Sequence, residues 1–343
     1  MMSYLGAMVL VTGGTGLIGA HLIRQLLLNG TDVRAIKREG SNTAQVAKVL
    51  NYYSDTEGHL AEKVEWVEAD VLDIPRLTKA IDGVSGVYHC AATVSFDPRK
   101  HDHMIKVNVE GTANIVNLCL ENGNTPLAFV SSVAAIGRTG TEEPIHEETE
   151  WMQSAHNTAY AISKKGAEME VWRGMAEGLK VSVVNPSLVV GPGVWGQSST
   201  GIFQKVWEGL PFYAPGVNGF VDVRDVVNIM IRMMAEGPHG ERFVLAAENR
   251  ELGEVTTIIA KEFGKKPPFI TIGPFLAAVA WRFEWVKSKF TGGEPVVTKE
   301  TAGTAIHNNR YDNSKVKKAL NYEFIPIDES IKECCKHFLK DHA

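Results

Sequence analysis

Cysteine, excess positive charge and long apolar runs are all scarce in this chain. Four cysteines in 343 residues are too few for a disulfide framework. Cys334 and Cys335 are adjacent, and no C-x-x-C or cysteine–histidine cluster has zinc spacing, so a reducing cytosol and no metal are expected. Thirty-five basic against forty acidic side chains give a net charge of −5, with no electrostatic footprint for nucleic acid and no polybasic membrane surface. No apolar stretch approaches the roughly 20 residues that span a bilayer; the nearest, Phe275–Trp281, stops at Arg282. The apolar run Met8–Val11 is strand-sized and leads straight into glycines, so it does not read as a signal peptide. The expectation is a soluble, cytoplasmic chain with a small-molecule partner, no nucleic acid and no stable membrane insertion.

What is present suits a sizeable core: 44% of residues are hydrophobic and 22% charged, ordinary globular usage. Short β-branched runs at Met8–Thr12, Asp32–Ile36, Val64–Val67, Val87–Ala91, Leu127–Ser131 and Val181–Val184 alternate with helical patterns such as Leu17–Leu28, Met104–Leu120 and Ala159–Ala176. Strands separated by helices imply right-handed crossovers and an α/β fold, a doubly wound parallel sheet covered on both faces. The interval Asn42–Lys63 is helical to about Tyr53, then turns at Ser54–Gly58. After Val184 prolines and glycines break the alternation. The chain divides into a dinucleotide-binding domain at 1–185 and a smaller, partly interleaved C-terminal substrate lobe at 186–343, with 219–235 returning to the first core. Ser314–Leu320 reads as a short helix.

The sharpest signal is Thr12-Gly13-Gly14-Thr15-Gly16-Leu17-Ile18-Gly19, directly after the first strand. It satisfies G-x-G-x-x-G, in which glycine permits the tight turn, the approach of a pyrophosphate and close helix–strand packing. A strand before and a helix after make this a Rossmann dinucleotide site. An NAD site usually ends its second strand with a carboxylate, whereas a 2′-phosphate favours a cation. Here Lys37 falls in the acidic slot with Arg38 beside it, so NADP(H) is expected; Glu39, at nearly the right distance, keeps NAD(H) as the alternative. Asp70, followed by Val71, is a candidate for the adenine end, with helix capping the competing role.

Tyr160 and Lys164 stand four residues apart, on one face of a helix. A nearby cation lowers a tyrosine pKa, as a proton donor working at neutral pH requires. Together with the glycine loop, the stretches Asp70-Val71-Leu72-Asp73, His89-Cys90-Ala91-Ala92, Asn108–Thr112, Val130-Ser131-Ser132, Tyr160–Lys164, Asn185-Pro186-Ser187, Phe220–Val226 and Tyr311–Lys315 resemble the extended short-chain dehydrogenase/reductase family over nearly the whole chain. Within it the V-R-A-x-x-R strand end, the N-P-S-L-V-V-G-P turn and the apolar stretch Phe275–Val286 are similar to dihydroflavonol-reductase-like and 3β-hydroxysteroid-dehydrogenase-like members.

The resemblance implies that Tyr160 is the general acid/base and that Lys164 holds the nicotinamide ribose while lowering the tyrosine pKa. Ser132 would hydrogen-bond the substrate oxygen; Ser131 is the rival, since alternation along a strand lets only one of them face the site. Asn108 would hold the proton relay, against a buried asparagine satisfying helix backbone. Ala91 and Ala92 would line the cofactor, Pro186 and Ser187 would cover the nicotinamide face, and His89 would be a positioning residue. His156 reads as surface. Glu142, Glu143, Glu147, Glu148 and Glu150 read as a solvated loop, Met230, Met233 and Met234 as core, and Phe275–Val286 as packing of the second lobe, with the wall of an apolar substrate pocket or contact with a lipid surface as the alternatives. The resemblance further implies a homodimer through sheet-covering helices, including Met104–Leu120 and Ala159–Ala176. The expected function is reversible, NADPH-preferring reduction of an aldehyde or ketone. The alternatives are a nucleoside-diphosphate-sugar epimerase or dehydratase with tightly held NAD, and a cofactor-sensing regulator without turnover.

Overall fold

The computed structural model describes residues 7–53, 59–138, 143–154, 157–291, 298–300 and 307–343. The turn expected at Ser54–Gly58, Glu142 and His156 lie outside them. In chain order the strands are β1 (Met8–Thr12), β2 (Asp32–Lys37), β3 (Val64–Glu68), β4 (Val87–His89), β5 (Leu127–Val130), β6 (Val181–Pro186), β7 (Leu188–Val190), β8 (Phe212–Tyr213), β9 (Val217–Asp222), β10 (Glu241–Leu245), β11 (Glu248–Glu251) and β12 (Ile270–Thr271). Seven of them form the main sheet in the order β10-β6-β5-β4-β1-β2-β3, every pairing parallel. The central strands β5 and β6 are buried along their full length, as a parallel sheet covered on both faces requires.

Two apolar cores back this sheet. One takes Leu22, Ile23 and Leu26 of the first helix with Val226, Ile229, Met230 and Met233 of the helix Val223–Glu236. The other takes Leu77, Ile115, Val116, Ala167 and Val171 from the helices of the opposite face. Successive strands β1, β2 and β3 run one way and β4 returns to the other side of β1. That reversal opens a crevice beyond the carboxyl ends of β1 and β4, the place where such sheets bind ligands.

The second lobe has its own three-stranded sheet, β11-β9-β7, and the pair β12-β8. Phe203, Phe220, Ile259, Phe263, Ile331 and Phe338 form its core. The return to the first core is made by the helix Val223–Glu236 and by β10, which pairs with β6 as the seventh strand. The alternation of residues before position 185 does not reveal that strand.

Among the described residues no helix is long and apolar enough to cross a membrane. The helix Pro274–Thr291 does not spend its apolar side on packing as expected: Phe275, Val279, Phe283 and Trp285 are exposed, while Ala277 and Ser288 are buried. A helix that turns small residues inward has no room to bury its rings.

Candidate active site

The glycine loop leaves β1 and enters the helix Leu17–Leu28 at the crevice. Gly13 lies in the left-handed region, φ +67°, and a Cβ there would stand 2.6 Å from the Ala91 nitrogen. A Cβ on Gly19 would strike the Gly13 carbonyl. These close approaches require glycine. Several other helices carry side-chain caps, from Asn42, Asp73, Thr158 and Asp222. The helix after the loop has Gly16 at its start, no side-chain cap and no acidic residue in its first turn. Its amides are left to an anionic ligand, and the loop fits a pyrophosphate.

A directional hydrogen-bond chain anchors the loop. The Ala91 amide donates to Thr12 Oγ1 at 3.2 Å, and Thr12 Oγ1 bonds His89 Nδ1 at 2.6 Å. His89 Nε2 then meets Thr112 Oγ1 at 3.0 Å, and that hydroxyl donates to the Asn108 carbonyl at 2.6 Å. The chain closes only if Thr12 donates to Nδ1 and the His89 proton sits on Nε2. Burial, with a smaller push from Lys164, drives the His89 pKa down to about 3. His89 is therefore a neutral strut between β1, β4 and the helix Gly111–Glu121.

At the far end of β2, Lys37 is half-buried and Arg38 and Glu39 are exposed. Glu68, opposite Lys37 in the β2–β3 register, is taken by Arg76 at 2.7 Å. Asp70 does not cap the next helix; Asp73 does, while Asp70 accepts the Leu72 amide at 2.9 Å. Val71 packs against Gly111, where a Cβ would stand 2.6 Å from its side chain.

At the chemical end the two serines separate. Ser131 Oγ donates to the buried carboxylate of Glu168 at 2.5 Å. Ser132 Oγ accepts the Ala134 amide at 3.1 Å and is hydrogen-bonded to the Tyr160 hydroxyl. Burial raises the Tyr160 pKa and Ser132 opposes it. The net shift runs opposite to the lowering that the four-residue spacing suggests, because burial outweighs the other influences on the phenol. Lys164 Nζ donates to the Val130 carbonyl at 2.8 Å and stands 4.6 Å from the centre of the Phe129 ring. Burial brings the Lys164 pKa down to about 8, against the opposing pull of Glu168 and Cys90.

Asn108 lies in a single π-helical turn, Lys106–Glu110. Rather than satisfying helix backbone, it exchanges hydrogen bonds with the loop residue Thr93, Oδ1 accepting its amide at 2.8 Å and Nδ2 donating to its carbonyl at 3.0 Å. Nδ2 also donates to Ser163 Oγ at 2.9 Å, and that hydroxyl donates to the Tyr160 carbonyl at 2.8 Å. Ser187 is tied to the Leu245 carbonyl by its amide and its hydroxyl, both at 3.0 Å.

These elements enclose a largely apolar cavity of about 520 Å³. Gly13, Gly16, Leu17, Ile18, Gly19, Ala92, Ser132, Tyr160, Lys164, Pro186 and Ser187 line it. Thr12, Gly14, Thr15, Lys37, Arg38, Asp70, Val71, Ala91 and Asn108 do not. Phe96, Trp151, Ser198, Ser199, Asn218 and Asn309 line it as well, and nothing in their spacing marks them out. Glu147, expected in a solvated loop, is instead buried, its Oε1 accepting the Val244 amide at 2.8 Å. It satisfies the outer side of the edge strand β10; Glu143, Glu148 and Glu150 are exposed as expected.

The comparisons with known proteins agree with this architecture. Residues 9–246 match the NAD dependent epimerase/dehydratase family. Cinnamoyl-CoA reductase 1 of Petunia hybrida is 30% identical over 346 residues, covering 98% of this chain and 93% of that protein. Dihydroflavonol 4-reductase of Dianthus caryophyllus is 33% identical over 196 residues, 54% of this chain and 53% of that protein. Among solved structures, UDP-glucose 4-epimerase of Thermotoga maritima superposes with a TM-score of 0.77 at 20% identity, covering 98% of this chain and 100% of that one. This chain belongs to the NAD dependent epimerase/dehydratase family of extended short-chain dehydrogenase/reductases, with reductases among its relatives.

Proposed function

We propose that the chain is an NADPH-preferring reductase of an aldehyde or ketone, working reversibly on the alcohol. The observation that carries this reading is the Ser132–Tyr160 hydroxyl pair in an apolar cavity continuous with the glycine loop. The loop amides would hold the pyrophosphate, Lys37 and Arg38 a 2′-phosphate, and Lys164 the nicotinamide ribose. Asp70, Val71, Ala91 and Ala92 would lie along the cofactor, and Pro186 and Ser187 beside its ring. When bound, the reduced dinucleotide supplies the hydride. Tyr160 would give its proton to the carbonyl oxygen, Ser132 would polarise that oxygen, and Asn108 would hold the helix that presents the tyrosine.

The reductase relatives support net reduction of a carbonyl group, and the apolar cavity walls support an apolar substrate. The second reading, a nucleotide-sugar epimerase or dehydratase, draws on the family and on the fold shared with the Thermotoga enzyme; the cations at the end of β2 weigh against its NAD requirement. NADPH oxidation against a panel of aldehydes, ketones and nucleotide sugars tests the choice, and activity confined to nucleotide sugars would reverse it. The proposal extends to a homodimer across the helix Ala159–Ala176, where Ile162 and Met169 are exposed. Sedimentation velocity should show two copies in the parent and one in Met169→Glu; a monomeric parent would remove this part.

A further inference from the structure

Glu168 follows Lys164 by one helical turn and is fully buried. A buried carboxylate is costly unless its oxygens are satisfied, and here donors from three strands and its own helix meet it. Oε2 accepts from Ser131 Oγ at 2.5 Å and from Asn185 Nδ2 at 2.8 Å. Oε1 accepts from Trp172 Nε1 at 3.2 Å and from Arg242 at 2.8 Å. Asn185 gives its other N–H to the Ser132 carbonyl at 2.9 Å, and its Oδ1 is buried without a hydrogen-bond partner. That orphaned oxygen is an expense, and the two contacts made by its nitrogen offset it. One carboxylate thus joins the helix of Tyr160 and Lys164 to the ends of β5 and β6, next to Ser132 and Pro186, and to β10.

We infer that Glu168 is a positioning residue of this site: it fixes Ser132 against Tyr160, and its negative charge is the local counterion of the Lys164 ammonium. The inference rests on the roles given to Tyr160, Ser132 and Lys164 in the proposed function. Around Lys164 stand His89 and Cys90 at the end of β4, Tyr160 and Glu168 on its own helix, and the Phe129 ring and Val130 carbonyl of β5. Arg242 of β10 is already paired to Glu168. Burial keeps His89 neutral and pushes the Cys90 thiol up to about 12, so Glu168 is the anion among them. Taking its charge away removes the pull that opposes desolvation of Lys164. A glutamine cannot replace it silently. Trp172 and Arg242 only donate, so the amide nitrogen must turn toward Ser131 and Asn185, where Asn185 also donates.

The test compares the parent with Glu168→Gln, Glu168→Asp and Ser131→Ala. In the chain without cofactor, isotope-labelled lysine NMR follows Lys164, its signal identified by its loss in Lys164→Met. It should titrate near 8 in the parent and about one pH unit lower in Glu168→Gln. Glu168→Asp and Ser131→Ala keep the anion and should stay at the parental value. In turnover, Glu168→Gln and Ser131→Ala should lose about 10-fold or more in kcat, the cost of a misplaced reacting group, with NADPH affinity little changed and Glu168→Asp partly restored. A carboxylate that is only structural would lower thermal stability and leave the Lys164 titration unmoved, and that result overturns the inference. Should Glu168→Gln not fold, a Ser131→Ala variant with parental kcat overturns it instead. A parent that reduces no carbonyl counts against the proposed function alone, because the lysine titration needs no turnover.

Discussion

Tyr160 is a hydroxyl under two opposing influences, burial that holds its proton on and a Ser132 hydrogen bond that loosens it. A group of this kind serves as an acid whose proton leaves only when charge builds on a neighbouring oxygen. Tyr160→Phe keeps the ring, which lies 6.2 Å from Phe96 between centroids, and removes only the hydroxyl group that carries the proton. Turnover should fall by about 10²–10⁴-fold, the usual contribution of a positioned acid/base, while NADPH affinity, measured by fluorescence titration, changes little. Parental turnover in the variant would remove the proposed mechanism. At the other end of the cofactor site, Arg38 is exposed and Lys37 half-buried, so their charges are available to a 2′-phosphate. NADPH should bind at least about tenfold more tightly than NADH, a difference of some 1.4 kcal/mol, and Arg38→Glu should narrow or reverse the gap. Equal or better NADH binding by the parent would contradict it.

Polar contacts join the apolar cores in holding the elements in place. Asp225, on the helix Val223–Glu236, accepts the Tyr322 hydroxyl at 2.9 Å through one oxygen and the Ile325 amide at 3.0 Å through the other. Burial outweighs both bonds and raises its pKa from 3.8 to about 7. Between those values the folded chain keeps a proton that the unfolded chain releases, so stability should fall as pH rises from about 4 to 7 and then level off. Asp225→Asn can keep both contacts, donating to the tyrosine and accepting the amide, without the charge. Its melting temperature should lose that slope, and parallel pH profiles for parent and variant would refute the assignment. Elements of this kind differ in how far the sequence announces them. The strands β1 to β6, the glycine loop and the short helix Ser314–Leu320 all show in local pattern, because each encodes its own periodicity or turn. The strand β10 does not: Glu241-Arg242-Phe243-Val244-Leu245 is short, and its partner β6 lies some 60 residues earlier. The roles of Glu147 and Asn185 depend on neighbours far along the chain, which no spacing rule reaches. Burial also reversed one electrostatic expectation, holding the Tyr160 pKa up where the spacing to Lys164 suggests that it be lowered.

On the scale of the whole molecule, the cavity draws its walls from both halves of the chain, the glycine loop and Tyr160 on one side, Ser198, Asn218 and Asn309 on the other. Such a site can serve two kinds of chemistry that share a first hydride transfer. An epimerase must hold its nicotinamide through two opposite transfers, because release between them would strand the oxidised sugar. A reductase must release oxidised cofactor in every cycle and therefore consumes it in proportion to product. Cations at the end of β2 suit exchange with a pool of reduced NADP, and the apolar cavity walls suit an apolar carbonyl compound. Starting from protein without cofactor and added NADPH, the near-ultraviolet absorbance of the reduced nicotinamide should fall in step with alcohol formed. Deuterium placed at C4 of the nicotinamide should appear on the carbinol carbon of the product. Interconversion of a nucleotide sugar with no net loss of reduced cofactor, and with label retained on the nicotinamide, would reject reduction and leave epimerisation as the function of this site.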